Sequence, residues 1–165
     1  MTVEASAFAA EFLYREALYL DRRQWDAWLA LYHEDAEFWV PAWKNEEEPT
    51  ADPATEISLL YTAKRSELED RVWRVRSGRS IASVPLPRTA HNVTNVLALE
   101  GRDGTLEVTS NWTIEVFNVK RRDEHVFYTR CEHLLVRAEQ GWRIRRRKAI
   151  LLNDTLPTMM DFYTI

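Results

Sequence analysis

Few side chains in this sequence can do chemistry, and four of them are histidines: His33, His91, His125 and His133. The single cysteine, Cys131, stands two residues before His133. That C-x-H spacing is one half of a Rieske ligand set, but the cluster needs two cysteines and two histidines, so this chain cannot build one. On a strand, alternation would put Phe127, Cys131, His133 and Leu135 on one face, which makes the pair a buried thiol beside a buried histidine. His33, Glu34 and Asp35 are consecutive. A mononuclear iron site takes two histidines and a carboxylate, no local pairing supplies the second histidine, and the trio reads as a solvated helix end. Tyr14, Asp35, Tyr61, His91 and His133 are the candidates for general acid or base in a pocket of the kind small isomerases and dehydratases use. The four glycines never fall in a G-x-G-x-x-G or GK[ST] context, so no nucleotide site is expected.

Two further features suit a protein interface. Seven tryptophans are present, and Trp39 and Trp43 cluster with Phe38 and Pro41 just ahead of an acidic stretch. Such residues serve equally at a desolvated interface centre or in an aromatic core. Arg143, Arg145, Arg146, Arg147 and Lys148 put positive charge on both faces of a strand that otherwise looks central, whereas a half-buried strand should charge only one. Glu132, the acidic loop or a partner chain could oppose that charge, or the strand end is simply solvated. Trp39, Trp43, Arg145 and Arg147 are therefore the candidate subunit-interface residues.

The elements that must position these groups follow from periodicity. Phe8, Ala9, Phe12, Leu13, Ala17 and Leu20 share one arc of a helical wheel with Glu4, Glu11, Arg15 and Arg22 opposite, which predicts a first helix. Asp21 and Gln24 have capping-box spacing ahead of Trp25, Trp28, Leu29 and Tyr32, which predicts a second. Ala36 to Val40, closed by Pro41, reads as a strand or edge strand. Residues 44–53 are too acidic and Pro-rich to be core and are placed in an exposed loop. After a short apolar stretch at 57–61, Ser66 and Glu69 form another capping-box pattern before Leu68, Val72, Trp73 and Val75, with Gly78 at the helix C′ position. From Arg88 the period changes to two, with turns at Asp103-Gly104 and at Gly141. Three helices followed by about four long strands predict one α+β domain over residues 1–165, a cone of the cystatin or NTF2-like kind with N-terminal helices packed on a curved antiparallel sheet.

Composition bounds the function. The chain has 165 residues, 45% hydrophobic and 29% charged, with 22 Lys and Arg against 26 Asp and Glu. A net charge of −4 supplies no basic field for phosphates, so nucleic acid is not an expected partner. The apolar runs fall short of the roughly 18 residues a membrane span needs, and the start of the chain has no export signal, so a cytoplasmic location is expected. Sequons at Asn92, Asn111 and Asn153 carry no weight in that setting.

Three segments form a pattern: R-Q-W-D-A-W-L-A-L-Y-H-E-D-A-E-F-W-V-P-A-W at 23–43, D-P-A-T-E-I-S-L-L-Y at 52–61 and L-E-D-R-V-W-R-V at 68–75. With P-R-T-A-H-N-V-T-N-V at 87–96, L-E-V-T-S-N-W at 106–112 and L-L-N-D-T-L-P-T-M-M-D-F-Y at 151–163, the chain resembles the small, or beta, subunit of aromatic-ring-hydroxylating dioxygenases, in the benzoate and anthranilate branch. The resemblance implies a mainly structural subunit at the base of an α3β3 hexamer. It implies no cofactor on this chain: the Rieske [2Fe-2S] cluster and mononuclear Fe(II) belong to the larger alpha subunit. Electrons would come from NADH through a reductase, and both atoms of O2 would be added to the ring. The ring substrate is left open among benzoate, anthranilate, a halobenzoate and salicylate. The different-class alternative is a self-sufficient isomerase or dehydratase with its own small-molecule pocket.

Overall fold

A computed structural model describes residues 3–153 and 155–165; Asp154, in the middle of the Asn153 sequon, lies outside them. The first helix, α1 (Val3–Asp21), forms on the expected arc: Ala5, Ala9, Phe12, Leu13, Ala17 and Leu20 are buried, while Glu11 and Arg15 pair at 2.8 Å on the outer face. The arc also carries Glu16, which is buried with them. The second helix is short, α2 (Trp25–Leu29), and α3 spans Arg65–Arg76, with Leu68, Val72 and Val75 inward. Gly78 follows the Ser77 cap at φ 68°, the left-handed conformation in which glycine ends a helix without Cβ strain.

Neither expected capping box forms. Gln24, and not Asp21, precedes α2 and gives it no side-chain cap; Asp21 is the last residue of α1 and its carboxylate is taken by His91 and Thr89. Helix α3 starts one residue before Ser66, and Glu69 pairs with Arg65 at 3.0 Å instead. A capping box does form at Asp161, whose side chain accepts from Phe162 N while Thr164 reaches back, closing a 3₁₀ turn at Phe162–Thr164.

Six strands make one sheet: β1 (Tyr32–Pro41), β2 (Ser58–Thr62), β3 (Arg88–Glu100), β4 (Leu106–Asn118), β5 (Asp123–Ala138) and β6 (Gly141–Leu151). Their order is β2-β1-β6-β5-β4-β3. The neighbours are antiparallel, as expected, except that β1 runs parallel to β6, so the sheet is mixed. Strand β1 begins earlier than expected and takes in His33, Glu34 and Asp35, which are therefore on a strand and not at a helix end. It is also interior; the edge is β2, which reads from sequence only as a short apolar stretch. Pro41 is tolerated because the register shifts between it and Val40, where a missing N–H breaks no regular ladder.

Helix α1 lies across β3 and α3 against β1. On the covered face, Leu106, Val108, Trp112, Ile114 and Val116 of β4 meet Phe127, Cys131 and Leu135 of β5 in a continuous core. Trp28 stacks on Phe162 with ring centres 4.8 Å apart, which ties α2 to the C-terminal segment. Among the described residues, no helix is long and apolar enough to cross a membrane.

Candidate functional site

The run of cations on β6 has a physical explanation in a bulge. Leu134 pairs with Arg146 and Leu135 with Ile144, so β6 carries one residue more than β5, at Arg145. Alternation restarts after it, and Ile144 and Arg147 both face the core although an odd spacing should separate them. Charge on both faces thus means that Arg147 goes inside while Arg146 stays out. The acid it meets is neither Glu132 nor the acidic loop: it is Glu16 of α1.

Arg147 is fully buried. Its guanidinium lies 3.3 Å from a Glu16 oxygen and donates to the main-chain oxygen of Ile165 at 2.8 Å. It is also held between two aromatic faces, with ring centres 4.6 Å away at Trp112 and 5.1 Å away at Phe38. Tyr32 donates its hydroxyl to Glu16 at 2.6 Å, and His133, directly across the strand pair from Arg147, places Nε2 3.3 Å from the other Glu16 oxygen. His133 in turn stacks on Trp112. Burial alone would raise the Glu16 pKa, yet Arg147 foremost, with His133 and Tyr32, holds it down to about 2. Burial lowers the pKa of His133 although Glu16 opposes the shift, so the imidazole is favoured neutral. The same burial raises that of the Cys131 thiol.

This cluster is suited to structure and not to proton transfer. A general base works best when its pKa lies near the working pH, and Glu16 is held far below it. The cavities that flank the molecule lie elsewhere: between α1 and the hairpins at β3–β4 and β5–β6, on the outer face of β3 to β5, between α3 and the C-terminal segment, and between α2 and α3. None of these four is lined by Glu16, His133 or Arg147.

The structure does not bring the acid–base candidates together. Tyr14 is exposed, Asp35 is exposed, and Tyr61 sits on β2 with its hydroxyl 3.3 Å from Glu37. His91 is tied to Asp21, Nδ1 to Oδ1 at 2.5 Å, and the same carboxylate accepts from His91 N at 3.0 Å and Thr89 Oγ1 at 2.9 Å. His125 stands edge-on to Phe127. Nor do the residues fit an iron cofactor. Cys131 is packed beside Thr129 with no second thiol in the sequence, and His133 is taken by Glu16. The ligand atoms of His33, Glu34 and Asp35 do lie within 4.8 Å of one another, but the set holds one histidine on an open strand face, not the two of a facial triad.

The interface candidates divide. Arg147 is an interior residue and not a surface one, with its charge paired to that of Glu16. Trp39 is also largely interior: its indole donates to Ser58 Oγ at 2.9 Å and Lys148 lies 4.9 Å from its ring. Trp43 is half-buried and donates to the Leu151 carbonyl oxygen at 2.7 Å, and Arg145 donates to that of Asp35 while remaining partly exposed. Glu16, fully buried at the centre of the cluster, is not among the residues that motif and spacing single out. Its available signal was an acid on the apolar arc of α1, between Phe12, Leu13 and Leu20.

Fold and site together define an α+β protein whose helices cover one face of the sheet and whose interior is closed by a buried ion cluster. A protein from Nostoc punctiforme described as having a cystatin-like fold shares this architecture, with a TM-score of 0.64 at 13% identity over 95% of this chain and 97% of that one. Residues 15–158 match the family described as "Ring hydroxylating beta subunit", and the chain belongs to that family: it is the beta subunit of an aromatic-ring-hydroxylating dioxygenase. It is 41% identical to the toluate 1,2-dioxygenase subunit beta of Pseudomonas putida and 38% identical to the anthranilate 1,2-dioxygenase small subunit of Acinetobacter baylyi, each over 100% of both chains. The crystal structure of the beta subunit of the benzoate 1,2-dioxygenase from Burkholderia mallei superimposes with a TM-score of 0.79 at 34% identity, covering 96% of each chain.

Proposed function

We propose that this chain is the non-catalytic subunit of an oxygenase that dihydroxylates aromatic carboxylic acids of the benzoate, toluate and anthranilate type. The observation that carries the reading is the filled interior: on the face covered by the helices, Arg147 occupies the space between Trp112 and Phe38 and is paired with Glu16, and none of the four cavities described above reaches this cluster. That filling disfavours the stand-alone reading. The names of the full-length relatives support the substrate class.

The partner is the large subunit, and three of each chain make the hexamer, with this protein, one domain over residues 1–165, self-associating as its trimeric base. Trp43 and Arg145, which keep part of their surface in solvent, are proposed contacts in that assembly. The Rieske cluster and the mononuclear Fe(II) reside on the large subunit, a placement supported by the single cysteine here. Electrons arrive from NADH through a reductase, and the complex works in the cytoplasm.

Co-expression with the large subunit tests this reading. The expected result is a colourless small subunit when purified alone, and a complex of equal subunit numbers, by light scattering, that turns over benzoate, toluate or anthranilate. Stoichiometric iron in the isolated small subunit, or failure of the two chains to associate, overturns it.

A further inference from the structure

The helical stripe of α3 contains Leu68, Val72, Trp73 and Val75, yet only three of these are inside. Trp73 keeps 54% of its surface exposed, and the guanidinium of Arg79 lies over its ring at 4.9 Å. Beside them Ile81 is 89% exposed and Met159, from the C-terminal segment, 70%. Ile81 and Met159 line one cavity with Arg79, which links them to Trp73, and exposed large apolar side chains grouped in this way mark a contact surface more often than chance exposure does.

Between α3 and the C-terminal segment lies a cavity of about 340 Å³, whose walls include Arg71, Arg74, Arg79, Met159 and Tyr163. Three guanidiniums face it against one carboxylate. Asp161 takes Arg71 at 3.1 Å, and among the described residues Arg74 and Arg79 have no acidic partner. The chain as a whole carries −4, so this is a local cationic site on an otherwise acidic protein. Arginine with exposed tryptophan and methionine is the composition of an interface centre, and unpaired guanidiniums select a carboxylate by forked hydrogen bonds.

We propose that the face formed by α3, residues 79–81 and the C-terminal segment docks an acidic segment of the large oxygenase subunit, with an Asp or Glu seated between Arg74 and Arg79 and apolar neighbours over Trp73, Ile81 and Met159. The proposal rests on the function inferred above, which supplies the large subunit as partner. A free carboxylate would satisfy the two arginines but leave Trp73, Ile81 and Met159 in water, whereas a polypeptide covers both.

The test uses the co-expressed complex. Arg74→Glu combined with Arg79→Glu should weaken association with the large subunit about tenfold or more and flatten its salt dependence, while self-association and the melting curve of the small subunit stay as in wild type. Trp73→Ala should weaken association without changing the salt dependence. In the wild-type complex, amide exchange should slow across residues 71–81 and 159–163. Wild-type affinity in the charge-reversed variant, with that variant folded, overturns the docking site and leaves the proposed function standing; failure of the wild-type chains to associate overturns both. Saturable benzoate binding to the small subunit that vanishes in the charge-reversed variant, with assembly unaffected, assigns the cavity to a small anion and overturns the docking site too.

Discussion

Helix α1 sends two carboxylates to two histidines of the sheet, and the pairs are built differently. At Glu16 the histidine alone is not enough. The carboxylate is fully buried, its contact with His133 is a loose 3.3 Å, and the structure adds a tyrosine hydroxyl, a guanidinium and two aromatic faces to hold the charge. At Asp21, at the end of the same helix, the carboxylate keeps contact with solvent. There a short bond to His91, one threonine hydroxyl and one backbone amide suffice. The difference follows from desolvation: a charge removed from water needs an opposite charge and several polar partners close by, and a charge at the rim does not. The buried pair closes the interior, while the rim pair stitches α1 to β3.

The contrast is most easily broken from the inside. Arg147→Met leaves the buried Glu16 carboxyl without its cation and should cost about 3–5 kcal/mol in chemical denaturation. If charge compensation is what the cluster supplies, Glu16→Leu combined with Arg147→Met should recover most of that loss. A double variant no better than the single would mean that shape alone is at stake and the comparison fails.

Acid should sharpen the contrast. The folded pKa of Glu16 is about 2 against an ordinary 4.5, so its stabilisation is present above 4.5 and disappears as pH falls toward 2. His133 is lowered from 6.5 by burial, so the unfolded chain binds that proton first and stability begins to fall below pH 6.5. Both slopes have the same sign: unfolding free energy should decline from pH 6.5 downward and more steeply below 4.5. Burial lowers the pKa of His125 too, with the same sign, so the His133→Gln variant should lose part of the decline between pH 6.5 and 4.5 and keep the His125 share; a profile identical to wild type there would remove His133 from the account.

The smallest effect is expected at the rim. Asp21→Asn keeps one of the two accepting oxygens, sets an NH2 in place of the other and gives up the charge beside His91, and should cost about 1–2 kcal/mol. Amide exchange should quicken at the start of β3 with little change at β5. A loss as large as that of Arg147→Met would erase the distinction between the two pairs.

The arc of α1, the stripe of α3, the glycine after it and the two-residue period of β3 to β6 all appear in the chain because they are local: each needs only neighbours within a few positions. Where a residue had two local options, legibility ended. Asp21 and Ser66 both have capping-box spacing, but Asp21 binds a histidine 70 positions away and Ser66 lies inside a helix that has already begun. Strand β1 looked like an edge because its neighbours, β2 and β6, are a short stretch and a strand more than a hundred residues later.

By itself the sequence determined the order of helices and strands, the motif pattern of a ring-hydroxylating dioxygenase beta subunit, and, through its one cysteine, that no Rieske centre is built from this chain alone. Only the tertiary structure decided that Arg147 points inward and that Glu16 of α1 receives it. The physical reason is the extra residue at Arg145: one bulge reverses which side chains face the core, and whether a strand bulges is set by the strand beside it and the helix above it, not by its own period.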